Sequence, residues 1–153
     1  MTAKPPIPMA DEMLHSHSDL TRQLDELEAH ARTLRCADGD KSEVLDDLAN
    51  FARHFAGDVE EHIIEEEEIL FPRCHPYLTA SSRTLLHRIR NQHRDLERSL
   101  RRFMQYLDDA QQQRGELQSY LVEAIYLRAR LLRFSFAVHS DEERRFFEEV
   151  FDL

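Results

Sequence analysis

The sequence predicts an all-α protein, an antiparallel four-helix bundle running up-down-up-down. Three observations predict it: few chain breakers, apolar residues recurring at helical spacing, and short connections between the resulting segments. Only 3 Gly and 5 Pro occur among 153 residues, which argues against a turn-rich β fold. Apolar residues make up 41% and charged residues 33%, a globular composition, and the length suits one domain with a sizeable core.

Residues 1–10, with Pro5, Pro6 and Pro8, read as a proline-rich, loosely ordered arm ahead of a bundle spanning 11–153. The first helix carries Met13, His17, Leu20, Leu24, Leu27, Ala31 and Leu34 on one stripe and ends at Cys36–Asp40, where Gly39 breaks it. The second carries Leu45, Leu48, Ala52, Phe55, Val59, His62, Glu66 and Ile69, with Ser42 as its expected N-cap and Pro72 as its expected stop. A break from Pro72 to Ser82 follows, and Ser81 or Ser82 is expected to cap the third helix. That helix reads Leu86, Ile89, His93, Leu96, Leu100, Phe103 and Leu107. Asp108 to Gly115 reads as the last break. The fourth stripe then runs Leu121, Ile125, Ala129, Leu132, Phe136, His139, Glu143, Phe146 and Val150. Steps alternating between three and four make each stripe the seam of a bundled helix.

The formal charge of −10, from 30 acidic and 20 basic side chains, repels phosphate backbones and anionic lipid surfaces, so neither nucleic acid nor membrane is expected as a partner. No run of ~18 apolar residues is long enough to span a bilayer. Residues 1–9 lack the apolar stretch of a secretory signal, so a cytoplasmic location is expected. Cys36 and Cys74 fall at opposite ends of the predicted bundle, ~40 Å apart, so no disulfide is expected between them.

Six polar residues interrupt the apolar stripes: His17, His62, Glu66, His93, His139 and Glu143. Burying such groups costs several kcal/mol unless they are paired or bind metal. Their number alone decides nothing, since chance would put roughly two or three of nine histidines on stripe positions. Their level does. In an antiparallel pair, residues equidistant from the connecting loop lie side by side. His17 and His62 are equidistant from the Gly39–Asp40 junction, His62 and His93 from the Tyr77–Leu78 junction, and His93 and His139 from Glu116. One histidine from each helix therefore belongs to a single layer. His62–Glu66 and His139–Glu143 are i, i+4 pairs, so each carboxylate lies one turn from its histidine on two diagonal helices. Four imidazoles and two carboxylates suit two first-row metal ions better than one.

The stretch His62-Ile-Ile-Glu-Glu66, running on to Leu-Phe-Pro72, resembles the second-helix motif of the hemerythrin-like (HHE cation-binding) family. His139-Ser-Asp-Glu-Glu143 repeats it more weakly, and His17-Ser-Asp-Leu and His93-Arg-Asp-Leu match the single histidines of the first and third helices. The likeness extends from about Met13 to Phe147. The resemblance implies a cofactor of two iron ions joined by an oxo or hydroxo bridge. His17 and His62 would serve one iron, His93 and His139 the other, with Glu66 and Glu143 bridging and a position left open for O₂, NO or peroxide. The oxygen-carrying members have one more histidine on the third helix, and here Ile89 stands at that place. In this the chain is more similar to the four-histidine, two-glutamate centres of iron–sulfur-cluster repair proteins, without the extra N-terminal domain those carry. Glu97, one turn past His93, offers a possible extra ligand at the edge of the stripe.

His15, His30, His54, His75 and His87 fall off the stripes and read as surface groups. Within Glu65–Glu68 only Glu66 is expected to face inward, its neighbours pairing with arginines of the third helix. Glu12-Met-Leu-His15 has the ExxH spacing of ferritin-like di-iron proteins, but that chemistry needs two such motifs. Tyr120 and Tyr126 fit either electron relay or simple packing. Three functions are compatible with these features. The first is a di-iron protein that binds or reduces a diatomic or peroxidic ligand, an oxidoreductase if it turns over. The second is a metal-stabilised sensory or interaction module without turnover, its protein partner unspecified. The third is a metal-free polar network, at the cost of six buried ionisable groups.

Overall fold

The structure, a computed structural model, describes residues 7–113 and 117–151, with side chains from residue 11 onward. Four long rods make up most of it. Helix α1 spans Ile7–Cys36 and α2 spans Ser42–Glu65; a five-residue π turn, Glu66–Leu70, joins α2 to the short α3, Phe71–Cys74, and a 3₁₀ turn at His75–Tyr77. Helix α4 spans Ala80–Gln113 and α5 spans Ser119–Phe151. Each rod packs chiefly on two others: α1 against α2 and α5, and α4 against α2 and α5. Helices α2 and α5 are thus diagonal, as the up-down-up-down reading requires. None of these helices is long and apolar enough to cross a membrane.

The stripes are buried where the sequence places them, except that Met13 is only partly buried and the second stripe slips at its end. Ile69 is half exposed, while Leu70 and Phe71 are buried in its stead. The π turn explains this: Phe71 N–H donates to the Glu66 carbonyl, five residues back, so one extra residue enters the turn and the inward face slips by one. The same loosening carries the rod past Pro72, which was expected to stop it. Pro72 sits in the first turn of α3, where a missing N–H costs little.

Four further boundaries differ from expectation. Helix α1 starts at Ile7, with Pro8 in its first turn; residues 1–6 of the expected arm lie outside the described residues. Ser42 does not cap α2; Asp40 Oδ1 accepts from the Ser42 N–H (2.9 Å) and hydroxyl (2.6 Å) instead. Thr79 caps α4, its Oγ1 accepting from the Ser82 N–H (3.1 Å) while Ser82 Oγ accepts from the Thr79 N–H (2.7 Å), a reciprocal capping box. Finally, α4 continues through Asp108 to Gln113 rather than ending there. Ala110 is buried, and Gln111 donates to Asp46 (3.0 Å) and accepts from Arg53 (3.0 Å), so packing on α2 holds the extra turn. Gly115 lies outside the described residues. Gly39 has φ +72°, the left-handed conformation that makes glycine the fitting residue in the first turn.

The interior divides into two apolar clusters. The larger includes Leu20, Leu27, Phe55, Ile63, Leu96, Phe103 and Phe136; the smaller includes Leu70, Phe71, Ile89, Phe146 and Phe147. On every rod the polar stripe residues fall between the two. Cys36 is exposed and Cys74 buried, and both are free, as expected. Burial pushes the Cys74 thiol up to about 11, so it stays protonated within its apolar cluster.

Candidate metal centre

All six polar stripe residues meet in the gap between the apolar clusters, one histidine from each of α1, α2, α4 and α5. His17, His62, His93 and His139 are at most 5% exposed, and Glu66 and Glu143 are fully buried. Their Nε2 atoms point inward. His17 Nε2 lies 3.0 Å from His62 Nε2 and 3.3 Å from Glu66 Oε1, and His62 Nε2 contacts Glu66 Oε1. On the other side, His93 Nε2 lies 3.1 Å and His139 Nε2 2.8 Å from Glu143 Oε1, and Glu143 Oε2 contacts His17 Nε2. His93 Nε2 is also 3.8 Å from Glu66 Oε2. Each carboxylate therefore touches three of the four imidazoles and lies between the two histidine pairs. Ring centroids in the pairs His17–His62 and His93–His139 are both 4.7 Å apart, with both interplanar angles 60°, a pseudo-twofold arrangement. Donor atoms of His17, Glu66, His139 and Glu143 all fall within 4.8 Å of one another.

Three of the outer ring nitrogens are held. His93 Nδ1–H donates to Glu67 Oε1 (3.0 Å) and His139 Nδ1–H to Gln92 Oε1 (2.9 Å), while His62 Nδ1 bonds Ser16 Oγ (2.9 Å). A carboxylate or amide oxygen only accepts, so the proton of a neutral His93 or His139 ring sits on Nδ1 and the Nε2 lone pair faces the centre. Such outer bonds orient metal-binding imidazoles. Phe71 lies nearly parallel to His93 at 6.0 Å, and Phe136 presents its edge to His17 at 6.0 Å, closing the layer with apolar walls.

The inner atoms are crowded but poorly satisfied. Glu66 Oε2, Glu143 Oε2 and His139 Nε2 make no aligned hydrogen bond. Among the described residues, the salt bridges of Glu66 and Glu143 are all to histidines. The contrast with Glu28, the other buried carboxylate among the described residues, is direct: it is neutralised by Arg32 (3.2 Å) and Arg133 (2.7 Å). Ligands bonded at ~2.1 Å and at right angles lie about 3.0 Å apart, close to the His17–His62, His93–Glu143 and His139–Glu143 separations. The donor set fits cations at its centre.

Without a metal, protons take that role. Burial alone would push His17 and His93 down, but the carboxylates outweigh it. Glu143 and Glu66 hold His17 up at about 10, and with Glu67 they hold His93 at about 9. Burial opposes ionisation of Glu143, yet the charge of His139, with contributions from Glu66 and His17, holds it well below the usual carboxylate range.

Glu67 corrects the expectation that only Glu66 of the acidic run turns inward. The π turn swings Glu67 onto His93, and no feature of composition announces it. Ser16 and Gln92 were also missed, although a pattern marks them: each immediately precedes the inward histidine of its helix and reaches the inward histidine of the next one. Glu97 is exposed and stays outside the cluster. Among the remaining histidines His15, His54, His75 and His87 are exposed as expected, while His30 is half buried against Phe51, 5.1 Å between ring centroids. Tyr126 is buried in the larger core and Tyr120 is exposed. A cleft of about 240 Å³ between α1 and α2, lined by Ser16, Asp19, Asp58, Glu61 and Glu65, reaches His62 from outside. The larger cleft of about 690 Å³, lined by Arg98, Arg102, Tyr106 and Arg128, includes none of the six residues.

Residues 9–150 match the family model described as the Hemerythrin HHE cation binding domain. No curated protein and no solved structure matches the chain.

Proposed function

The chain belongs to the hemerythrin HHE cation-binding family, and from that premise we propose that it is a non-haem di-iron protein that binds or reduces O₂, NO or peroxide. One observation carries the reading: four inward Nε2 atoms and two buried carboxylates converge with no lysine or arginine of the described residues among their salt bridges, leaving inner polar atoms unsatisfied. In this reading His17 and His62 hold one iron and His93 and His139 the other. Glu66 and Glu143, each already touching both histidine pairs, bridge them. When bound, an iron pair would supply two adjacent one-electron centres for the chemistry of a small ligand.

The chain's own residues set the conditions. Glu67, Gln92 and Ser16 fix the rings whose Nε2 atoms serve as ligands. Phe71, Phe136 and the fully buried Ile89 exclude water, so an apolar diatomic molecule enters more readily than ions do. Ile89 one turn from His93 supplies no donor, which favours reactivity over reversible carriage. Loading the site displaces the protons that His17 and His93 hold at neutral pH.

Iron assay and visible spectroscopy test the reading. Two irons per chain and the charge-transfer bands of a bridged pair are expected, and both are lost in His62→Ala and Glu66→Ala. Iron content unchanged by either substitution overturns it. Stopped-flow decay of the ligand complex then separates turnover from carriage; a complex lasting many minutes contradicts turnover.

A further inference from the structure

Seven large apolar side chains are exposed among the described residues, and five of them lie on α5: Tyr120, Leu127, Leu131, Phe134 and Val138. With Ala124, which is half buried, they follow steps of 4, 3, 4, 3 and 4, an uninterrupted two-in-seven stripe. This is a second seam on α5, separate from the one that faces the core through Ala129, Leu132 and Phe136. Phe134 is 68% exposed, Tyr120 and Leu127 59%, Leu131 44% and Val138 43%, so nothing among the described residues covers it. Its margins are engaged elsewhere. Arg133 bonds Asp25 and Glu28 of α1, both at 2.7 Å, and Arg128 lies 5.8 Å from the Tyr106 ring of α4.

We infer that this stripe is the contact between two copies of the chain, with the two α5 helices antiparallel about a twofold axis at the level of Ala129. The pattern reads the same from both ends, so that one axis sets Tyr120 against Val138, Ala124 against Phe134 and Leu127 against Leu131 of the second copy. The smallest residue of the row meets the most exposed large one, and the central pair is leucine on leucine. This self-complementarity is what an isologous interface requires. The area is sufficient. Nineteen residues at ~1.5 Å each make a seam ~27 Å long, and its five large side chains present on the order of 500 Å² of apolar surface, at the upper end of patches found on monomers. Two such faces together bury on the order of 1,000 Å², the area a specific interface must reach. The chain's charge of −10 opposes association at long range, so added salt tightens this pair, whereas a contact held by ion pairs would loosen.

Sedimentation equilibrium of the full, metal-loaded chain tests the contact, with a mass of twice 18.2 kDa expected and a dissociation constant that falls from low to moderate salt. Leu131→Glu, at an exposed position away from the metal centre, raises that constant about a hundredfold while helicity and metal content stay unchanged. Orientation is read from cysteine pairs in a Cys36→Ser background. A mixture of Ala124→Cys and Phe134→Cys proteins forms the mixed disulfide on mild oxidation, and Ala124→Cys alone does not link to itself, because ten residues (~15 Å) separate the two copies of position 124. A monomer at 100 µM overturns the inference, as does a dimer indifferent to Leu131→Glu. Self-linked Ala124→Cys overturns the antiparallel arrangement, and a monomer that binds lipid vesicles through α5 assigns the stripe to a membrane surface instead.

Discussion

Glu143→Gln keeps the shape of the side chain and removes one charge from the middle of the polar layer. In the metal-free protein that carboxylate is fully buried and neighbours His17, His93 at 3.1 Å and His139 at 2.8 Å. His17 and His93, held at about 10 and about 9 largely by this group, are protonated at pH 7 and lose much of their counter-charge. Removing one partner of a buried ion pair costs about 3–5 kcal/mol. For a chain of this length each kcal/mol moves Tm by about 2–4 °C, so the melting temperature falls on the order of 10 °C. The assay is calorimetry of wild-type and variant proteins stripped of metal, at pH 7 and again near pH 10. At the higher pH His17 and His93 approach neutrality in both proteins, and the gap narrows. A fall of less than about 2 °C at pH 7, or a gap that widens toward pH 10, would refute the electrostatic account of the layer.

Three other outcomes follow from the same geometry. His17 and His93 are both raised above the ordinary value of 6.5, so their contribution to the metal-free fold is complete below that value and is lost as pH rises through about 9 and about 10. Urea midpoints of metal-free protein are therefore expected to decline between pH 7 and 10, and a flat or rising profile contradicts this. Gln92→Ala frees the His139 ring and lowers metal affinity about 10–100-fold in competition with a chelator, with helicity unchanged; equal affinity would show that the outer bond orients nothing. Asp40→Ala removes the side chain that holds the start of α2 and lowers unfolding free energy by about 1 kcal/mol in urea titration, whereas Ser42→Ala, which keeps the backbone bond to Asp40, costs less.

The bundle and its polar layer were legible because both follow from arithmetic on a regular helix. Apolar steps of three and four mark the buried face, and the distance of each histidine from its loop fixes its height. The arithmetic holds through His62 and Glu66 because α2 is regular up to that point. It fails at once afterwards: the π turn adds a residue that no propensity signals, so Ile69 moves out, Leu70 and Phe71 move in, and Glu67 reaches His93. The caps were misplaced for a different reason. Asp40 and Ser42, and likewise Thr79, Ser81 and Ser82, are all competent capping residues within a few positions, and backbone geometry chooses among them. The end of α4 was placed too early because its last turn is polar in sequence; Ala110 packing and the Gln111 bonds to α2 sustain it, and neither is visible in a local pattern.

Diffraction from crystals of the iron-loaded protein, recorded on both sides of the iron absorption edge, tests the central claim most directly. Two anomalous peaks about 3.5–4 Å apart are expected, one beside His17 and His62 and the other beside His93 and His139, with Glu66 and Glu143 between them. A single peak, or density outside this layer, would contradict it.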